Sequence, residues 1–531
     1  MRRIFWFLLP AVWLAALAAQ ASPSSPDLIA RIHFAGAGQI SADTNAAAFT
    51  NLWGSPEAQA VRDQTLNKLS RAPYSWFKEK MPAGAGDGAA QLRPLLDDLS
   101  DSEWFLQVRE ATNGSPESAL AIHLDAARAK LWQANLAGVL EAWTGMSVEK
   151  IPNGWQLKKH LPPNLIRFAR MGDWVVIGCG EDRLPLNDEL MRHVQAEKRP
   201  APVEPNAWLA ADLDWPRLAR WYPLLKPAGL PEIRLQVAGH NGKLQSQARL
   251  IFPQPLGLTL EKWSVPADLI HPPFISFTAV RGIAPWLEKQ DWARPYAISP
   301  VPNQLYVWAL PQMPLQTFAA VPVPDAKKVL LEFKQKLSAE TSWQSHFQMP
   351  VTMVATNDRI SWQGIPFVSP NLSATHEPAG DFLFAGVFPN SPRTKQPLPP
   401  ELLAQLDRTN LVYFDWEITG ERLGRLPQLT QLALMETRHK QLPAQSVAGK
   451  WLTRIGPPLG IAVTEVTRTA PDELSFKRSA PGGFTAIEFI ALANWLEATN
   501  FPGCDLSSPL RPNLKHPHSQ IPGPPPAFQL H

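Results

Sequence analysis

Asp212 and Asp214 stand two residues apart where the apolar run Ala207-Trp-Leu-Ala-Ala-Asp-Leu213 ends. If that run is a strand, its period of two puts both carboxylates on one face. Two carboxyls so placed could do general acid–base work, as in a carboxylate-dependent hydrolase. The competing role for Asp214 is structural. It precedes Trp215-Pro216, the composition of a helix start, where an Asp side chain caps the first turn. Glu417 stands near the corresponding place in the second half of the chain.

No other constellation of chemistry-bearing residues emerges. The chain has no Gly-x-Ser-x-Gly elbow, no His-Glu-x-x-His, no Cys-x-x-Cys and no Lys-Ser/Thr after its glycine-rich loop at Gly84–Gly88. His376-Glu377 runs into Pro378-Ala379, which rules out the zinc helix. His516 and His518 are the one close histidine pair, but a proline separates them and no third ligand is near. The sequence therefore predicts no metal, no cofactor and no catalytic residue, and it leans away from an enzyme. Trp208, Trp215, Trp221 and Trp263, among 21 tryptophans, could form an exposed platform for glycans or lie in the core with their indole N–H groups bonded. A net charge of +3 over 531 residues gives no basic patch of the kind nucleic acid demands.

The two cysteines depend on compartment. Arg2 and Arg3 precede an apolar stretch, Ile4 to Ala19, and Ala19-Gln20-Ala21 is an A-x-A site. These features predict a signal peptide over residues 1–21, cleaved between Ala21 and Ser22. The stretch is short for a membrane span and holds Pro10, and no later stretch is long and apolar enough to span. The expected mature chain is exported, periplasmic or extracellular, with no membrane span. In an oxidising compartment a Cys179–Cys504 bridge is open; Cys179 otherwise reads as a small buried hydrophobe.

The elements that would position these residues come as short strands, hairpins and helices. Leu28–Phe34 alternates as a strand, and Ser55-Pro-Glu57 opens a helix through about Ala72. Glu103–Arg109 and Ser118–Leu124 read as strands around Asn113-Gly114, and Asp125 caps a helix to about Trp143. Gly154–Lys159, Leu165–Arg170 and Trp174–Cys179 are strands, followed by a helix at about Leu186–Ala196 and a proline-rich linker. Ile233–Gly239 and Leu244–Phe252 flank His240-Asn-Gly242, the clearest hairpin signal.

The order then begins again. Gly380-Asp-Phe382 repeats Gly172-Asp-Trp174, and Asp325 caps a helix as Asp125 does. Arg359–Gly364 mirrors Gly154–Leu157, Pro389–Pro400 repeats the linker, and Asn410–Trp416 answers Ala207–Leu213. Trp174 and Phe382 are 208 residues apart, Ala207 and Leu411 are 204, and Leu28 and Phe274 are 246. The reading is an internal duplication, with modules at 22–268 and 269–500 and a proline-rich disordered tail at 501–531. In its signal segment, its Leu28–Phe34 strand and its tandem layout the chain resembles exported bacterial proteins of unknown function built from repeated strand–helix modules. That resemblance spans most of residues 28–500 and implies no reaction, cofactor or catalytic residue.

The expected fold is α+β: two tandem related modules, each an antiparallel, hairpin-rich sheet with helices packed on one face. The expected function is a non-catalytic structural or binding protein of the cell envelope or secretory space, with an unidentified protein or envelope partner. A binder of hydrophobic or glycan ligands between the modules and a carboxylate-dependent hydrolase are the alternatives.

Overall fold

The alternating runs become strands of one antiparallel sheet in the computed structural model. It describes residues 28–111, 114–158, 164–221, 230–290, 298–311, 316–339, 351–365, 368–388, 399–425 and 445–503. The first ten strands are β1 Leu28–Phe34, β2 Trp104–Glu110, β3 Pro116–His123, β4 Glu149–Ile151, β5 Gly154–Lys158, β6 Leu165–Met171, β7 Trp174–Gly180, β8 Leu209–Asp214, β9 Glu232–His240 and β10 Lys243–Ile251. The next ten are β11 Ser276–Arg281, β12 Gln304–Leu310, β13 Gln316–Val323, β14 Thr352–Ala355, β15 Arg359–Gln363, β16 Asn371–Glu377, β17 Gly380–Gly386, β18 Leu411–Ile418, β19 Ile461–Ala470 and β20 Glu473–Ala480.

Backbone pairing puts the first ten in the spatial order β4-β5-β6-β7-β3-β2-β1-β8-β9-β10. The next ten follow β14-β15-β16-β17-β13-β12-β11-β18-β19-β20. The second order is the first with ten added to every label. β10 and β20 pair antiparallel, from Leu244 opposite Ala480 to Ile251 opposite Glu473, which joins all twenty strands.

Local chemistry explains the elements. The turn between β9 and β10 needs two left-handed residues, and Asn241 (φ 50°) and Gly242 (φ 72°) supply them. Ser55 accepts from the Ala58 amide and Pro56 opens the helix Pro56–Phe77. Asp125 accepts from the Ala127 and Arg128 amides at the start of the helix Ala126–Thr144. The helix Pro185–Glu197 also stands where the sequence puts one. The sequence leaves unassigned β4 and the helices Ala37–Ala42, Ala47–Trp53, Ala89–Asp101 and Pro400–Leu406.

Helices cover both faces of the first ten strands, which corrects the expectation of one covered face. Trp132 and Val139 of the helix 126–144 and Leu92 and Leu95 of the helix 89–101 pack with Trp104, Leu106 and Ile122. Leu186, Leu190 and Val194 of the helix 185–197 pack with Phe105, Ala121 and Trp174, which point the other way. β2 accordingly buries five consecutive residues, Trp104–Val108, as a strand covered on both sides must. A further helical layer crosses the junction of the two rows. Leu52, Ala58 and Val61 of the helices 47–53 and 56–77 pack with Trp451 and Leu452 of the helix Val447–Ile455 and Phe489 of the helix Ala486–Glu497.

No described helix is long and apolar enough to cross a membrane. The Ala21–Ser22 site, Asn113, residues 389–398 of the second linker, Cys504, His516, His518 and the tail beyond Gly503 lie outside the described residues.

Candidate functional site

β8 carries Asp212 between two arginines. Its register sets Asp212 opposite Arg31 of β1 on one side and Arg234 of β9 on the other. The three side chains share a face, because pairing preserves the pleat. With Asp214, Arg217 and Glu232 they line a depression of about 180 Å³. The sequence-predicted carboxylates thus come together, and Glu232 joins them.

Most of these charges are already engaged. The Arg31 guanidinium donates to the Pro202 carbonyl, and Arg234 Nε donates to Glu232 at 2.9 Å. Asp214 accepts from the Arg217 amide at 2.9 Å, so it caps the short helix Trp215–Trp221 as its position suggests. Asp212 Oδ1 is buried and finds no hydrogen-bond partner among the described residues. Burial pushes the Asp212 carboxyl up to about 6, against the opposing pull of Arg31 and Arg234 and with help from Glu204 and Glu232. A carboxyl with one unpartnered oxygen and no hydroxyl, thiol or imidazole lining the depression is half of an acid–base pair.

A larger concavity lies at the β4 end of the sheet, a groove of about 970 Å³ between the helix 126–144, the β4–β5 hairpin and the β6–β7 turn. Its floor is Trp155, which stacks on Phe168 at 5.5 Å and donates from Nε1 to the Gln133 carbonyl at 3.1 Å. The hairpin lies hard on β6: a Cβ at Gly154 would stand 1.9 Å from the Phe168 carbonyl oxygen. Asn153, at φ 63°, makes the turn between β4 and β5. Besides that Trp155–Gln133 bond, the helix makes bonds to its helical neighbour. Arg128 and Trp132 both bond Asp98, and Asn135 bonds the Gln91 carbonyl, so it leans onto the helix 89–101.

The small side chains Ala134 and Ala137 leave the space open. Lys130, Lys150 and Arg170 enter it from the helix, the hairpin and β6, and none makes an ion pair among the described residues. Arg170 Nε donates to the Gly172 carbonyl at 3.1 Å. The lining contains no Asp, Glu, His, Ser, Thr or Cys. Sequence reasoning missed all three cations; β4 was unassigned, and isolated lysines on predicted strands and helices carry no spacing signal.

The remaining residues singled out by the sequence have structural surroundings. Trp208, Trp215 and Trp263 are buried, and Trp221 donates to the Gly114 carbonyl at 3.1 Å, so the four form no open platform. Cys179 lies on β7 opposite Ser118 and packs against the core. His376 bonds Asp381 at 2.6 Å. Glu417 is enclosed, accepting from the Ala486 amide and from Arg422. Beside it Asp415 accepts from the Thr278 hydroxyl at 2.6 Å, and burial pushes its carboxyl up. No group of three or more His, Cys, Asp or Glu among the described residues could hold a metal ion.

No family model matches the chain, and no curated protein or solved structure is similar enough to be matched.

Proposed function

We propose that the protein is an exported, non-catalytic binding protein of the cell envelope or secretory space, built as two tandem copies over residues 22–268 and 269–500. One observation carries the binding reading: the groove at the β4 end of the sheet is furnished with cations, an amide pair and apolar walls, and with no group for nucleophilic or carboxylate chemistry. Asp214 and Glu417 are engaged by a helix cap, a backbone amide and a guanidinium, while Asp212 keeps one unpartnered buried oxygen.

The duplication is supported by register. Ile32 pairs with Ala211 as Thr278 pairs with Asp415, at the 246- and 204-residue offsets read from the sequence. Following the pairs from Ile32 through Leu106 and Leu120 reaches Ile177; from Thr278 through Val307 and Ala319 they reach Ala385, 208 residues further on. That is the separation of Trp174 and Phe382. In the other direction the pairs lead to Ala248 and Arg478, so Gln247 and Lys477, one residue back, are also equivalent, and these two face each other across β10 and β20. Equivalent edge strands of the two halves thus pair with each other, as the partners of an isologous interface do.

The test is native mass spectrometry of the protein from the exported fraction of its own host. The expected chain begins at Ser22 and carries an adduct that leaves on denaturation. A bare chain retaining residues 1–21 would defeat both export with cleavage and retention of a ligand. A second reading, a carboxylate-dependent hydrolase, draws on Asp212, whose carboxyl is pushed up by burial and has one unpartnered oxygen. It would displace the first if a turnover were found that Asp212→Asn abolishes.

A further inference from the structure

We infer that the groove beneath the helix 126–144 is a binding site for an amphiphile with an anionic head, and that only the first copy has it. The inference rests on the duplication and deepens the binding reading by naming the site and the ligand chemistry. It comes from comparing the groove with the same place in the other half.

Register fixes the comparison. Phe168 pairs with Ile177, and Leu372 pairs with Ala385, so Phe168 and Leu372 are equivalent, and two residues on so are Arg170 and Ala374. Trp155 pairs with Phe168 as Ile360 pairs with Leu372. Lys150 pairs with Trp155 as Ala355 pairs with Ile360. Both strand-borne cations of the groove are therefore alanines in the second half. Those alanines belong to a packed cluster. The helix Ala326–Ala339 lies directly on β15, β16 and β17, and its Leu330, Phe333 and Leu337 fill the space against Met353 and Trp362.

One fold unit thus has two outcomes. In the second half, large apolar side chains close the gap between helix and hairpin. In the first half, Ala134 and Ala137 leave it open, the helix is tied off toward its neighbour, and Lys130, Lys150 and Arg170 stand around it. Packing alone would favour the closed form, since an unfilled gap forfeits contacts. Three cations brought together with no carboxylate repel one another unless an anion joins them. The occupant that answers both features has a carboxylate, phosphate or sulfonate for the cations and an apolar body for Ala134, Ala137, Val148 and Met171. The groove's volume suits a ligand of that size.

The probe is dodecyl phosphate below its micelle concentration, titrated calorimetrically into the mature full chain, with inorganic phosphate and dodecyl maltoside as head-only and uncharged arms. One dodecyl phosphate is expected to bind per chain, more weakly as salt rises, with the other two arms far weaker. The double variant Lys150→Ala, Arg170→Ala installs the second half's residues and should weaken binding about tenfold or more. Ala137→Phe should close the groove and abolish binding. Lys477→Ala, outside the groove, should change nothing. Circular dichroism checks that each variant folds, and either groove variant alone suffices.

Undiminished binding by both folded groove variants would place the site elsewhere and overturn this inference while leaving the binding reading intact. Equal binding of dodecyl maltoside would remove the anionic head from the inference, and equal binding of inorganic phosphate would remove the apolar body. No binding of any probe also overturns it; the broader reading then falls only if the native protein is bare as well.

Discussion

Asp212 shows how much of a residue's chemistry depends on strands remote from it in sequence. Its place beside Asp214 at a strand end is readable from the chain alone. Its state is not, because the burial and the two guanidiniums come with β1 and β9 and with the loop that holds Glu204. The folded carboxyl titrates near 6 and the unfolded one near 3.8, so between those values the folded state holds a proton that the unfolded state has lost. Stability contributed by the protonated form is full below pH 3.8 and falls as pH rises toward 6; above that it stays lower. The shift corresponds to at most about 3 kcal/mol. Asp212→Asn should therefore raise the urea midpoint at pH 7.5 and change it little at pH 4. An equal effect at both pH values would mean that Asp212 is not held protonated by the fold.

At the scale of elements, caps and turns were legible and helix placement was less so. Asn241-Gly242, Ser55-Pro56 and Asp125 each encode their element within a few residues, and each does so in the structure. The helix 89–101 went unassigned between the glycine-rich loop Gly84–Gly88 and the strand at Glu103. Pro94 is the sixth residue of that helix, and the Leu92, Leu95 and Leu96 side chains bury against the core. The groove was hidden because its shape is set by where the helix 126–144 leans, which Asp98 decides from another helix. The β5–β6 contact gives this level its test. Gly154→Ala would drive a methyl into the Phe168 carbonyl, forcing β5 off β6 at a cost of about 3 kcal/mol or more. The expected readout is a lower melting temperature together with loss of dodecyl phosphate binding. A variant that melts like the parent would show that the hairpin does not sit tightly on β6.

At the scale of the whole molecule, hairpins and caps recurring in the same order were legible, and with them the possibility that free sheet edges of two similar units pair into one body. Two similar units could have been separate bodies. Instead β10 and β20 join them into one sheet. The long segment between β1 and β2 also sends the helices 47–53 and 56–77 across the junction to pack on the helices 447–455 and 486–497. The corresponding segment between β11 and β12 is far shorter, so the two rows are unequal and the helical layer at their junction draws on both. Cooperative unfolding of the whole is the expectation, since losing either row bares the edge strand and the crossing helices of the other. Leu52 sits in the crossing layer with Trp451 and Leu452, and Leu52→Ala should remove about 2–5 kcal/mol. Native-state hydrogen exchange then discriminates between one unit and two. If the sheet is one cooperative body, slowly exchanging amides of β7 in one row and β17 in the other should lose protection by the same free energy. If only β18–β20 and the helices beside them lose protection while β7 keeps its own, the halves unfold separately and the junction is a contact between independent bodies.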